Sequence, residues 1–94
     1  MKYIRVRWKH ANPDEAVWLF SETDAEGMEL RKLECFQNGF CDFASKEASS
    51  GSTRLGTQPM PDLSELAQDP EFEPVEITKK EFEEVWVKRR FKLD

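Results

Sequence analysis

The chain has 94 residues, of which 38% are hydrophobic and 35% charged, and a formal net charge of -5. That length holds one domain with one modest core, and the seven Phe and three Trp must supply much of it, because large aromatics bury the most area per residue. No apolar run approaches the roughly 20 residues that span a bilayer, and the start "MKYIRVRWKH" alternates charge with apolar residues where a signal peptide would be apolar, so the expectation is a cytoplasmic protein with no membrane partner.

Residues 2–8 alternate, with Ile4, Val6 and Trp8 on one side and Tyr3, Arg5 and Arg7 on the other, which predicts a half-buried strand. "HANPDEA" turns the chain, since Pro13 fixes its own φ and biases Asn12 away from helix. The next strand, "AVWLFSE", is apolar on both faces and belongs in the middle of a sheet. After the turn "TDAEG" come "MELRKLECF" and "FCDFA", joined by "QNG". A two-residue Asn38-Gly39 turn would mix charged and apolar groups on both faces. A three-residue loop, with Gly39 left-handed, pairs Leu33 with Phe43 and Cys35 with Cys41 and leaves Glu34 and Asp42 on the other face, and is preferred. In a cytoplasmic setting these two thiols, side by side and core-facing, read as reduced.

Residues 45–61 form a long Ser/Gly-rich loop without periodicity. "PDLSELAQ" predicts a short helix capped by Asp62, with Glu65 completing a capping box, and "DPEFEP" reads as an extended acidic connector. The stretch "EPVEITKKEFEEVW" starts a longer helix: Thr78 and Glu81 make a capping box, Ile77 and Phe82 a hydrophobic staple. Phe82, Val85, Trp86 and Arg89 then follow the i, i+3, i+4, i+7 rule. This stripe is expected to cover the face of Ile4, Val6 and Trp8. The fold class is therefore α+β over residues 1–94 as one domain: a four-stranded, meander-like antiparallel sheet, a short helix, a C-terminal helix packed on one face, and a basic tail over 88–94.

Catalytic chemistry finds little support. His10 is the single histidine and stands at no recognised spacing from a nucleophile, and exposed pairs such as Glu83 and Glu84 suit solvation better than acid-base work. Cys35, Cys41 and His10 are too few for a zinc site, so no metal, cofactor or catalytic residue is expected. "SSGSTRLG" lacks the Gly-Lys-Ser/Thr ending of a phosphate loop. Charge is unevenly spread: residues 1–10 carry Lys2, Arg5, Arg7 and Lys9 and no acid, whereas residues 11–76 carry fifteen acids against four bases. Two binding surfaces follow. The acidic one, Asp62, Glu65, Asp69, Glu71, Glu73 and Glu76 with Phe72 as apolar anchor, suits a basic protein. The other, Tyr3, Arg5 and Arg7 as an exposed row with Arg89 and Arg90, suits nucleic acid, against which the sequence pI of about 4.9 argues.

"YIRVRW", "PDEAVWLFSE", "ELRKLECFQNG" with "TRLG", and "DPEFEPVEITKKEFEEVW" resemble, in that order, a family of small bacterial proteins known only as a domain of unknown function. The resemblance spans residues 3–86 and rests most on the closing motif; it departs around "FCDF", where the family tends to an aliphatic residue and glycine. It implies a small cytoplasmic protein, similar in some members to the immunity partners of secreted bacterial toxins, and carries over no catalytic residue. The expected function is a non-enzymatic protein-binding domain, an immunity-type inhibitor that occludes a basic toxin with its acidic surface. The rivals are a nucleic-acid binder and a small-molecule binder or enzyme with a pocket under residues 45–61.

Overall fold

The computed structural model describes residues 1–92. Strands β1 (Lys2–Trp8), β2 (Trp18–Thr23), β3 (Glu29–Cys35) and β4 (Cys41–Ser45) are followed by helix α1 (Leu63–Leu66), strand β5 (Phe72–Ile77) and helix α2 (Lys79–Lys88). The sheet runs β4-β3-β2-β1-β5 with antiparallel neighbours throughout. The expected sheet of four strands is thus corrected to five. Half of "DPEFEP" is no connector: Phe72–Ile77 pairs along β1 from Trp8 opposite Phe72 to Tyr3 opposite Ile77. Its two-faced apolar neighbour β2 takes the centre, with Phe20 and Ser21 both buried.

The β3–β4 hairpin has the three-residue loop and the register that sorts the apolar pairs. Leu33 faces Phe43, Cys35 faces Cys41, Glu34 faces Asp42, and Gly39 holds φ +91° at the left-handed position. Phe36 donates its amide to Phe40 across the loop at 2.9 Å. The next pair inward, Cys35 and Cys41, is therefore non-hydrogen-bonded, the kind whose Cα atoms come closest; here they are 4.0 Å apart and the sulfurs are bonded. The bond overturns the reading of reduced thiols, and the register permits it by setting the two side chains face to face.

Helix α2 starts with both halves of the Thr78–Glu81 capping box, and its C-cap Arg89 is left-handed. Around α1 only the Asp62 half of the expected box is made, accepting from the Glu65 amide. Ile77, Phe82 and Val85 join Tyr3, Phe20, Leu33, Cys35 and Cys41 in one buried cluster, flanked by Trp18, Phe43, Trp86 and Phe91. The stripe therefore covers the opposite face of β1 from the one expected. Strand β1 alone looks more apolar on its Ile4, Val6 and Trp8 side, but Trp18, Phe20, Leu33 and Phe43 share the face of Tyr3 by register, and the sum of four strands decides where a helix packs.

Ile4 and Val6 are buried as well, on the face that residues 46–61 cross. Glu29 accepts from the Gly56 amide at 2.6 Å, Lys32 donates to the Arg54 carbonyl at 3.2 Å, and the Met60 amide donates to Gly27 at 2.8 Å. The buried Thr53 hydroxyl donates to Glu34. The loop is stitched flat onto the sheet. On the helix face, Arg89–Phe91 docks on the hairpin tip, with the Phe91 amide donating to Gly39 and the Cys41 amide to Arg89. The remainder of the tail read over 88–94, Leu93 and Asp94, lies outside the described residues.

Candidate functional site

Helix α1 carries Glu65 and strand β5 carries Glu73 and Glu76, while Asp62 caps α1 and Asp69 and Glu71 lie between the two elements. Asp69 closes the turn into β5 by accepting from the Glu71 amide at 2.9 Å, and the Glu71 carbonyl receives the Lys9 amide. Asp62 caps α1, and the bonds it accepts from Ser64 and Glu65 hold its carboxyl below the usual carboxylate range. All six acids are exposed. Among the described residues only Glu73 lies within ion-pair distance of a cation, 3.8 Å from Lys9. Phe72 is half-buried against Trp8, ring centres 6.2 Å apart, so Val75, 46% exposed, is the freer apolar group of this edge.

The backbone of β5 is an outer rim of the sheet. The Lys9–Glu71 bond fixes the parity: Glu73, Val75 and Ile77 turn their peptide groups toward β1, whereas Phe72, Pro74 and Glu76 turn theirs outward. Phe72 spends its amide on the Asp69 carbonyl, and Pro74 has none to offer. Proline at an outward position and flanking acids are devices that stop a sheet edge from recruiting another strand. At the opposite rim, β4 bonds to residues 48–50 and Arg89.

The basic set is brought together only in part, Arg5 and Arg7 sharing the Trp18 ring and Arg5 and Arg90 lining one cavity. Tyr3, expected on an exposed row, is 8% exposed and packs 5.4 Å from Phe82, because its side of β1 is the helix side. Arg89 lies over Phe43 and Trp86, and burial pulls its pKa down; Arg90 lies over Phe40. Arg5 and Arg7 stack on Trp18 at 5.2 and 5.8 Å. Arg54 is turned into its own loop, donating to Ser49, Gly51 and Thr53. His10 is occupied structurally. Its Nε2 donates to the Ala16 carbonyl at 2.7 Å, and its Nδ1 accepts from the Asn12 amide. Among the described residues no three His, Cys, Asp or Glu side chains converge as metal ligands.

A partly buried ion cluster that sequence reasoning missed sits under α2. Arg31 donates to both oxygens of Glu22, at 2.7 and 2.9 Å, and bridges to Glu83 on the helix. Its guanidinium lies 4.8 and 4.9 Å from the centres of Phe82 and Trp86. The Arg31 bond holds Glu22 below the ordinary carboxylate range, while burial and then Glu22 itself push the Tyr3 phenol up. The signal was present in the register: once Phe20 faces Leu33, Glu22 must face Arg31 on the helix side. The cluster fastens α2 to the sheet, and Glu22 within it is 6% exposed.

A family model described as Domain of unknown function (DUF6881) matches residues 2–91. The chain belongs to that family. No curated protein and no solved structure matches it. No helix of the described residues is long and apolar enough to cross a membrane.

Proposed function

We propose that this member of the family is a non-enzymatic protein-binding domain that covers a basic protein with its α1–β5 edge, acting as an immunity-type inhibitor of a bacterial toxin. One observation carries the reading: of six exposed carboxylates on that edge, five have no cationic partner among the described residues. Unpaired surface charge of one sign steers an oppositely charged partner and raises the rate of encounter, and Val75 with the outer part of Phe72 offers the apolar contact that holds it. The loop is bonded to the sheet at Gly56, yet a cavity of about 400 Å³ opens at its end, where Met60 and Pro61 line it with Ile4, so the small-molecule rival stands, whereas burial of Tyr3 removes one member of the nucleic-acid row.

The test compares two baits in lysate of the source cell at physiological salt: the native chain and the triple variant Glu65→Lys, Glu71→Lys, Glu76→Lys. These positions have no capping role, so the fold is retained. A stoichiometric basic protein taken by the native chain and lost by the variant is the expected result. Equal capture by both baits, or none by either with the cognate toxin co-expressed, overturns the reading.

A further inference from the structure

At the end of the sheet where β1 leaves and β2 begins lies an open groove of about 460 Å³. Its lining includes Arg7, Lys9 and Lys92 and, among the described residues, no Asp or Glu. The same groove is walled by Trp8, Trp18, Phe36 and Phe91, with the Gln37 amide at its rim. Arg5 adjoins it from behind, its guanidinium 5.2 Å from the Trp18 ring centre and 5.7 Å from that of Phe91. Two N–H donors here are shielded from solvent and meet no acceptor among the described residues: Arg5 Nε and Trp8 Nε1. Sealed from solvent, both lie behind the groove's surface and do not count among its contacts to a ligand.

We infer that this groove is a binding site for a nucleoside phosphate, taken either as a free mononucleotide or as the end of a single strand. The chemistry is complementary on three counts. Aromatic walls stack a base whatever its identity. Arg7 and Lys92 supply a planar fork and a point charge for the phosphate, while Lys9 is shared with Glu73 at 3.8 Å and is the weaker contributor. The volume falls within the range of small-ligand sites, about 300–1,000 Å³. A simple anion site would not need four aromatic walls, and an apolar ligand would not need Arg7 and Lys92 at the rim. The inference does not rest on the acidic edge, although Glu73 of that edge pairs opposite Arg7 and reaches Lys9.

The experiment uses the intact chain labelled with nitrogen-15 and reads the three indole N–H resonances. Trp8 and Trp18 wall the groove, whereas Trp86 packs against Phe43 and Phe82. Adenosine 5′-monophosphate should move the Trp8 and Trp18 signals and leave Trp86 still. Arg7→Glu and, separately, the rim variant Lys92→Glu should each weaken binding at least tenfold, while the remote Lys46→Glu, the same charge change, should not. The spectra themselves report whether each variant is folded. A 5′-phosphorylated tetranucleotide that binds more tightly than the monophosphate assigns the strand end as the source, and the reverse assigns the free nucleotide. Inorganic phosphate shifting the same signals at equal affinity overturns the inference, since stacking would then contribute nothing. No shift at millimolar nucleotide, or shifts unaffected by Arg7→Glu and Lys92→Glu, overturns it as well.

Discussion

Replacing Arg31 by Met should produce one of the larger losses of stability in this chain, and the loss should depend on pH. The Glu22 side chain is 8% exposed and receives two bonds from Arg31. Removing one member of a buried ion pair strands the other charge, at about 3–5 kcal/mol. The Glu83 arm adds little, because its side chain is 36% exposed and solvent screens it. Met keeps most of the apolar contact with Phe82 and Trp86, so the expected loss is about 3 kcal/mol near neutral pH. With a urea slope of roughly 1.5 kcal/mol per M, that moves the unfolding midpoint by about 2 M. Glu22 has a folded pKa below its unfolded value, so in the native chain its contribution is present above the unfolded pKa and is lost as pH falls through the folded one. In the variant the carboxylate is desolvated without a partner, its pKa is raised, and lowering the pH relieves the penalty. The gap between the two proteins must therefore narrow between about pH 7 and about pH 4. Adding Glu22→Gln to Arg31→Met should restore most of the stability, leaving a deficit of about 1 kcal/mol. Urea unfolding followed by Trp fluorescence at both pH values measures all three quantities. A gap that is constant with pH, or a double variant no better than the single, would refute the account.

Two further outcomes follow from the core. Opening the Cys35–Cys41 bridge with reductant should lower stability by about 2 kcal/mol, since the closed loop is short, with a sequence separation of 6; an unchanged urea midpoint would show that the bridge constrains nothing. On α2, Phe82→Ala should remove about 4 kcal/mol because that ring is fully buried, whereas Val87→Ala, at a position 78% exposed, should stay within about 0.5 kcal/mol. Equal effects at the two positions in thermal or urea unfolding would mean that the helix packs with a different stripe.

Much of this fold was legible wherever a local rule and the side-chain period agreed. The Thr78 cap, the Gly39 loop and the pairing of Leu33 with Phe43 follow from such agreement. Strand β5 was hidden because Pro74, Glu73 and Glu76 are poor strand formers; it exists because β1 has a free side to fill, and it tolerates Pro74 only where no amide is needed. The face chosen by α2 was hidden because it is a property of four strands together, not of β1. The disulfide was hidden by an argument from compartment that outweighed a register already placing the two sulfurs together. In the candidate sites, the six acids of the edge were legible as exposed charge. The groove was not, since Arg7, Trp18, Phe36 and Lys92 meet only after the strand ends and the tail have been folded to one place.

The two rims of the sheet have a consequence for how this protein can change over generations. With β4 bonded to its own flanking segments and β5 blunted by Pro74, the recognition proposed for the α1–β5 edge rests on side chains that no main-chain pairing depends on. Glu65, Glu71, Glu73 and Glu76 can be exchanged, reversed in sign or enlarged while the ladder beneath them and the aromatic layer stay as they are. A lineage facing a partner that keeps altering its own surface could thus rewrite what it binds by single substitutions, each close to neutral for folding. Most such drift should therefore be found on that edge, and least around Phe20, Leu33 and Phe82.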